Sequence, residues 1–201
     1  MSGPRTMPAG GVRELLATGF VTEPTRAALQ AKLDRLYAAP RFFERGLYAT
    51  LQTLCDRLIP QPVRVVDIAG ALDERLAEGE RNGWRYDALP PDAEAFRRGL
   101  AGVEESARAM CGAPFAALLA EQQNAVIGAI QGGQPLGAIW AGLPAARWFE
   151  EVLVEATEIY FAHPLAQERI GYVGMADAGG WTAIGLNEDE PTVAGGLDAA
   201  A

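Results

Sequence analysis

The sequence predicts an all-α protein. We expect a compact helical bundle of about six helices, with an irregular N-terminal arm and a long glycine-rich C-terminal arm. Apolar residues recur at three- and four-residue spacing in several windows, and proline or glycine stands at the ends of those windows. The two-residue alternation that is typical of β-strands is nearly missing. With 201 residues, 49% of them hydrophobic, the chain is long enough to bury a sizeable core.

The first half of the chain contains three predicted helices. Residues 1–21 lack a clear period and are predicted to form a loose arm. Thr22 can cap the first helix and Pro24 is tolerated in its first turn, so a short helix to about residue 38 follows. The next two helices are expected at residues 43–59, ended by prolines, and after the N-cap Asp67 as far as Gly79.

The second half contains three more. Residues 92–111 have the cleanest helical period of the chain, and Gly112 stands at their expected C-terminal end. Pro114 is suited to the first turn of a fifth helix, which we expect to run to residue 132. A sixth helix is predicted from Pro144 to about residue 160, with an apolar face wide enough for a central position in the bundle.

These elements suggest three regions. Residues 1–41 form an N-terminal arm with a short helix, residues 42–163 a helical domain, and residues 164–201 a C-terminal docking arm and tail. Cys55 and Cys111 are too few for a disulfide framework, and both lie on apolar helix faces, where a free buried thiol is common.

Charge and hydropathy limit the partners and the compartment. The net charge of -9 argues against binding to nucleic acid, which would need a basic stripe. No apolar run approaches the ~20 residues that would span a bilayer. No export signal is visible, so the sequence as it stands predicts a cytoplasmic protein; a trimmed or co-exported chain in the periplasm is the alternative.

Motifs for self-sufficient catalysis are missing from the sequence. No two glycines are separated by one residue, which excludes the Gly-x-Gly-x-x-Gly turn of dinucleotide folds. Neither serine lies in a nucleophile elbow. The alternative function that remains is a stand-alone small helical enzyme or metal-binding protein, which would use the single histidine, His163, with Glu151, Glu155 and Glu158. These three carboxylates share a face of the sixth predicted helix, which is either a cation site or a solvated surface. We expect neither a cofactor nor a metal in this chain.

Three stretches resemble the gluconate 2-dehydrogenase subunit 3 family. They are residues 51–60 (LQTLCDRLIP), 112–123 and 160–186, the last containing a His-Pro pair and Gly-Trp-x-x-Ile-Gly, and the resemblance covers roughly residues 42–186. It implies a non-catalytic accessory subunit of a large FAD-dependent dehydrogenase of the glucose–methanol–choline type, which oxidises sugars, sugar acids or polyols. It also implies a cytochrome c subunit as a further partner, and a small subunit that helps the large one to fold and to reach the periplasm.

Aromatic residues in irregular or terminal positions are the candidates for contact with such a partner. Ordering them in a glycine-rich loop is costly unless something packs on them, and Trp and Tyr are enriched among interface anchors. For each the alternative is packing on the chain's own core. For His163 it is a C-terminal helix residue favourable to the helix dipole, or a hydrogen-bonded element of the bundle, or, less favoured, metal ligation. The predicted contacts are Trp84, Tyr86, Tyr160, His163, Tyr172 and Trp181.

Overall fold

A computed structural model describes residues 10–80 and 87–178 of the chain. All regular structure in these two ranges is helical, which confirms the predicted all-α class. The eight α-helices are α1 (Gly11–Leu16), α2 (Glu23–Leu33), α3 (Arg45–Leu58), α4 (Ile68–Glu78), α5 (Asp92–Cys111), α6 (Ala120–Gln131), α7 (Ala145–Phe161) and α8 (Pro164–Arg169). Short 3-10 turns lie at Phe115–Ala117 and Ile139–Gly142.

The chain forms two compact units. The larger unit is Tyr37–Tyr160, and the smaller one combines the described residues up to Leu36 with those from Phe161 onward. The three regions expected from the sequence stay a prediction.

The larger unit is a helical bundle with one apolar core. Helix α3 packs against α4 and α5, and α5 packs against α6 and the two 3-10 turns. Gly99 of α5 lets the fully buried ring of Trp148 lie against the helix backbone, and Trp140 packs on that ring at 5.5 Å between centroids. The completely buried apolar side chains of this core include Leu51, Leu72, Phe96, Leu100, Val103, Ala107, Phe115 and Val126.

Local sequence signals explain most helix ends in this unit. Asp67 caps α4 as predicted, since its carboxylate accepts a hydrogen bond from the Gly70 N–H at 3.0 Å. Gly112 ends α5 with φ 77°, a left-handed conformation that glycine adopts without strain.

The predicted fifth helix is wrong in its first turns. A 3-10 turn follows Pro114, and α6 begins only at Ala120. The side-chain amides of Gln122 and Gln123 explain why the helix starts later than predicted. Gln122 accepts a hydrogen bond from the Leu119 N–H, and Gln123 donates to the carbonyls of Phe115 and Leu118. These hydrogen bonds give partners to backbone N–H and C=O groups that the interrupted helix would leave unpaired. Starting a new helix at Ala120 therefore costs little free energy.

The prediction of a loose arm before residue 22 is also wrong for its described part. Helix α1 buries Val12, Leu15 and Leu16 in a small core with Val21 and Met175. In the segment expected to be irregular, α8 forms directly after His163. The smaller unit therefore joins the two ends of the described chain around an apolar core of its own.

Candidate functional site

His163 caps helix α8 in the smaller unit. Its Nδ1 accepts a hydrogen bond from the Leu165 N–H at 3.3 Å, and Pro164 follows in the first turn. Burial lowers the pKa of His163, and the nearby Lys32 ammonium lowers it further, while a hydrogen bond to the Lys32 backbone acts in the opposite direction. His163 is therefore a hydrogen-bonded residue at the N-terminus of α8, and the expectation of a C-terminal helix residue is wrong.

Tyr172 is the most accessible of the predicted contacts that the structure describes. Its side chain is 47% exposed, and its ring covers the α-carbon of Gly174. Tyr160, near the end of α7, is half-buried. Trp84, Tyr86 and Trp181 lie outside the described residues. Whether any of these six residues touches a partner stays a prediction.

Asp177 fixes the last described residues to the start of α2, a role that the sequence did not reveal. Its carboxylate accepts hydrogen bonds from the Thr22 N–H and hydroxyl, each at 2.7 Å, and from the Thr25 hydroxyl at 2.6 Å. These bonds, first the one from Thr25, lower the pKa of Asp177 to about 2. The only sequence signal was the pair of threonines around Pro24, which suggested a cap but not its distant partner.

The α7 carboxylates form a buried cluster in the larger unit, so the expectation of a solvated face is wrong for two of them. Glu151 and Glu155 are 4% and 2% exposed. Arg75 of α4 reaches both Glu155, at 2.9 Å from Nη2 to Oε2, and Asp92 of α5, at 3.7 Å. The closer contact is an ion pair without hydrogen-bond alignment. Glu155 and Asp92 thus share one guanidinium, and Glu151 adds a third carboxylate close enough for its charge to act on Glu155.

This imbalance determines the protonation of the cluster. Burial raises the pKa of Glu155 to about 7; Arg75 opposes the shift, whereas Glu151, Glu158 and Asp92 add to it. Burial, with Asp92, also raises the pKa of Glu151. Below about pH 7 Glu155 therefore holds a proton, which reduces the cost of burying more acids than bases.

The raised pKa of Glu155 predicts a loss of stability as the pH rises. An acid whose folded pKa is about 7, against an ordinary value of 4.5, binds more protons in the folded state between those values. The free energy of unfolding then falls as the pH rises from about 4.5 to 7, by up to ~1.4 kcal/mol per pH unit for one proton. We expect Glu155→Gln to reduce this difference, measured by urea unfolding at pH 5 and pH 8.

The matched control is Glu121→Gln, which neutralises an exposed acid of α6. It should leave the difference between the two pH values as in the unsubstituted protein. A Glu155→Gln protein with an unchanged difference would show that Glu155 is ionised throughout this range.

The end of α3 and the start of the loop before α4 carry the stretch of residues 51–60 that resembles the family. Gln61 organises this loop: its side chain accepts hydrogen bonds from the N–H groups of Val65 and Val66 and donates to the Val66 carbonyl at 2.9 Å. Asp56 is paired with Arg64 across the loop. The surface here is an open concavity of about 560 Å³, which we call the Arg57 concavity, lined by Asp56, Arg57, Pro60, Gln61, Pro62 and Arg64.

The cysteines have no catalytic setting in the described structure. Cys55 is buried below the loop, and burial raises the pKa of its thiol to about 12, so the reactive thiolate is suppressed. Cys111 is half-exposed, not buried as the sequence suggested, and both thiols are free. Within residues 10–80 and 87–178, no group of three or more His, Cys, Asp and Glu side chains is placed to hold a metal ion.

Comparison with protein families now decides the assignment. The family model described as gluconate 2-dehydrogenase subunit 3 matches residues 47–185. The chain belongs to this family. Neither a curated protein nor a solved structure matches it significantly.

The match to the gluconate 2-dehydrogenase subunit 3 family can be placed on the structure. The matched range contains the whole of α4–α8, most of α3 and the Arg57 concavity. The family marks the chain as an accessory subunit of a dehydrogenase complex that associates with a catalytic subunit. Among the described helices, none is long and apolar enough to cross a membrane.

Proposed function

We propose that this chain is the non-catalytic small subunit of a large FAD-dependent dehydrogenase of the glucose–methanol–choline type, which it binds and stabilises. The catalytic subunit carries the FAD and oxidises a sugar, a sugar acid or a polyol. A cytochrome c subunit is the proposed electron acceptor. The family match over residues 47–185 is the observation that supports this proposal most strongly.

The chemistry of the described residues supports an accessory role. The groups that a stand-alone enzyme would use are engaged in holding the fold: Glu155 pairs with Arg75, and His163 caps α8. No observation favours this alternative.

Co-expression tests the proposed function. The chain and a glucose–methanol–choline type dehydrogenase encoded in the same genome are produced together and separately. We expect the catalytic subunit to be recovered with this chain, in higher soluble yield and with more bound FAD than alone. Binding by the folded state alone stabilises that state through mass action.

The control for the co-expression experiment is a variant of this chain with a destabilised fold. Asp73→Ala, which removes a buried anchor of the larger unit, should give no such increase. A well-folded chain that leaves the soluble yield, the FAD content and the activity of the dehydrogenase unchanged would contradict the proposal.

For the compartment, we propose that the chain works where its catalytic subunit works. A periplasmic location, for a trimmed or co-exported chain, is the alternative to a cytoplasmic one. Fractionation of cells that produce both proteins distinguishes a periplasmic complex from a cytoplasmic one.

A further inference from the structure

The Arg57 concavity is an open and preformed surface of the larger unit. Its lining residues all come from the end of α3 and the loop after it. Pro60 and Pro62 each have a fixed φ, and Gln61 holds the following backbone through three hydrogen bonds. A ligand that binds here therefore meets a surface with little conformational entropy left to lose.

Within this concavity the positive charge of Arg57 is uncompensated by a direct contact. The Asp56 carboxylate is occupied by Arg64. Arg57 itself makes no hydrogen bond or ion pair with another residue of the described ranges. A cation in the last turn of α3 is favourable to the helix dipole, which explains a basic residue at this position but neither the concavity nor its exposed prolines.

The chemistry of the concavity indicates a carboxylate as the complementary group. A guanidinium presents two parallel N–H donors, which fit a carboxylate in a bidentate geometry. Pro60 and Pro62 add exposed apolar surface beside it, and Val63 is 68% exposed. Arginine is enriched among the anchor residues of protein–protein interfaces, whereas small-molecule sites enclose most of their ligand, which this open surface would not do.

We propose that the Arg57 concavity is a docking site for the catalytic subunit. An Asp or Glu side chain of that subunit pairs with Arg57, and the residues next to this acid in the catalytic subunit pack on Pro60 and Pro62. This inference rests on the proposed function, which supplies the partner. It goes further in assigning a surface, an anchoring residue and the chemistry of the group that meets it. The aromatic residues predicted as contacts are not required for it.

Binding of purified chain variants to the purified catalytic subunit, measured by isothermal titration calorimetry, tests this site. If Arg57 is an anchor, Arg57→Gln should raise Kd about 10-fold and Arg57→Glu about 100-fold, which correspond to ~1.4 and ~2.8 kcal/mol of binding free energy. The matched control is Arg45→Glu. Arg45 is exposed at the other end of α3, about 18 Å away along the helix axis.

Arg45→Glu should change Kd less than threefold. Thermal unfolding of each variant separates binding from folding, and Arg57→Gln, which keeps the length and polarity of the side chain, serves if the glutamate variant is unstable. Equal Kd values for the unsubstituted chain and a folded Arg57→Gln protein would overturn the inference while leaving the proposed function intact. An unsubstituted chain that does not bind would overturn both.

A further experiment distinguishes a carboxylate of the catalytic subunit from the carboxylate of a small-molecule ligand. Sodium gluconate is titrated into the chain alone while its thermal unfolding is followed. We expect no shift of Tm at millimolar gluconate. A shift that disappears in Arg57→Gln would show that the concavity takes a free sugar acid, and would overturn the docking assignment.

Discussion

Replacement of Asp73 by alanine should lower the free energy of unfolding by about 3–5 kcal/mol. The Asp73 carboxylate, 3% exposed, accepts hydrogen bonds from three consecutive backbone N–H groups: those of Arg41 at 2.6 Å, Phe42 at 3.1 Å and Phe43 at 2.9 Å. Hydrogen bonds to a charged group contribute roughly 1.5–3 kcal/mol each, with incomplete additivity. Urea unfolding followed by circular dichroism measures the loss.

These hydrogen bonds join two elements of the larger unit. Asp73 lies on α4, and the three N–H groups belong to the segment that leads into α3. Asp87→Ala is the matched control, since Asp87 is exposed in the same unit, and it should change stability by less than about 0.5 kcal/mol. An Asp73→Ala protein within 1 kcal/mol of the unsubstituted chain would show that water satisfies these N–H groups.

Gly99→Ala should be the second severe substitution, with a cost of about 3 kcal/mol. A β-carbon at position 99 would lie 1.9 Å from Cε2 of Trp148, far inside van der Waals contact. The Trp148 ring is 1% exposed and packs against Trp140, so it has little room to move. Overpacking of a close-packed core typically costs 1–3 kcal/mol and occasionally more.

Gly128→Ala is the matched control for this prediction. Gly128 also lies inside a helix, α6, but a β-carbon there would meet no atom within 4 Å. Alanine should therefore stabilise the protein by about 0.5–1 kcal/mol, because it reduces the backbone entropy of the unfolded chain. Thermal and urea unfolding of both variants should give opposite signs. A shared sign would mean that helix propensity, not the Trp148 contact, decides the outcome at position 99.

Helices whose ends are encoded in nearby residues could be predicted from the sequence. Helices α3, α4, α5 and α7 begin and end within two residues of the expected bounds, because apolar periodicity and local signals such as Asp67 and Gly112 act over one turn. Helix α1 could not be predicted in this way. Its six residues are too few to show a helical period of apolar residues, and one of its apolar partners, Met175, is distant in the sequence.

The same limit applies to the candidate sites. The sequence placed Glu151 and Glu155 on one helix face, but their burial depends on Arg75, which comes from a helix about 80 residues earlier. The stretch of residues 51–60 was visible, whereas the concavity around Arg57 depends on how Gln61 folds the loop back. The periodicity of apolar residues in the sequence shows which helix face a residue lies on. Contacts with residues distant in the sequence determine whether that face is buried and what it packs against.

The central claim is that this chain is a stoichiometric accessory subunit of a catalytic dehydrogenase. Sedimentation velocity of the purified chain mixed with a purified glucose–methanol–choline type dehydrogenase from the same genome tests it most directly. The account predicts one faster-sedimenting species that contains both proteins in a fixed ratio and carries the bound FAD. Two species that sediment at their separate rates, across the concentrations at which both proteins stay folded, would contradict it.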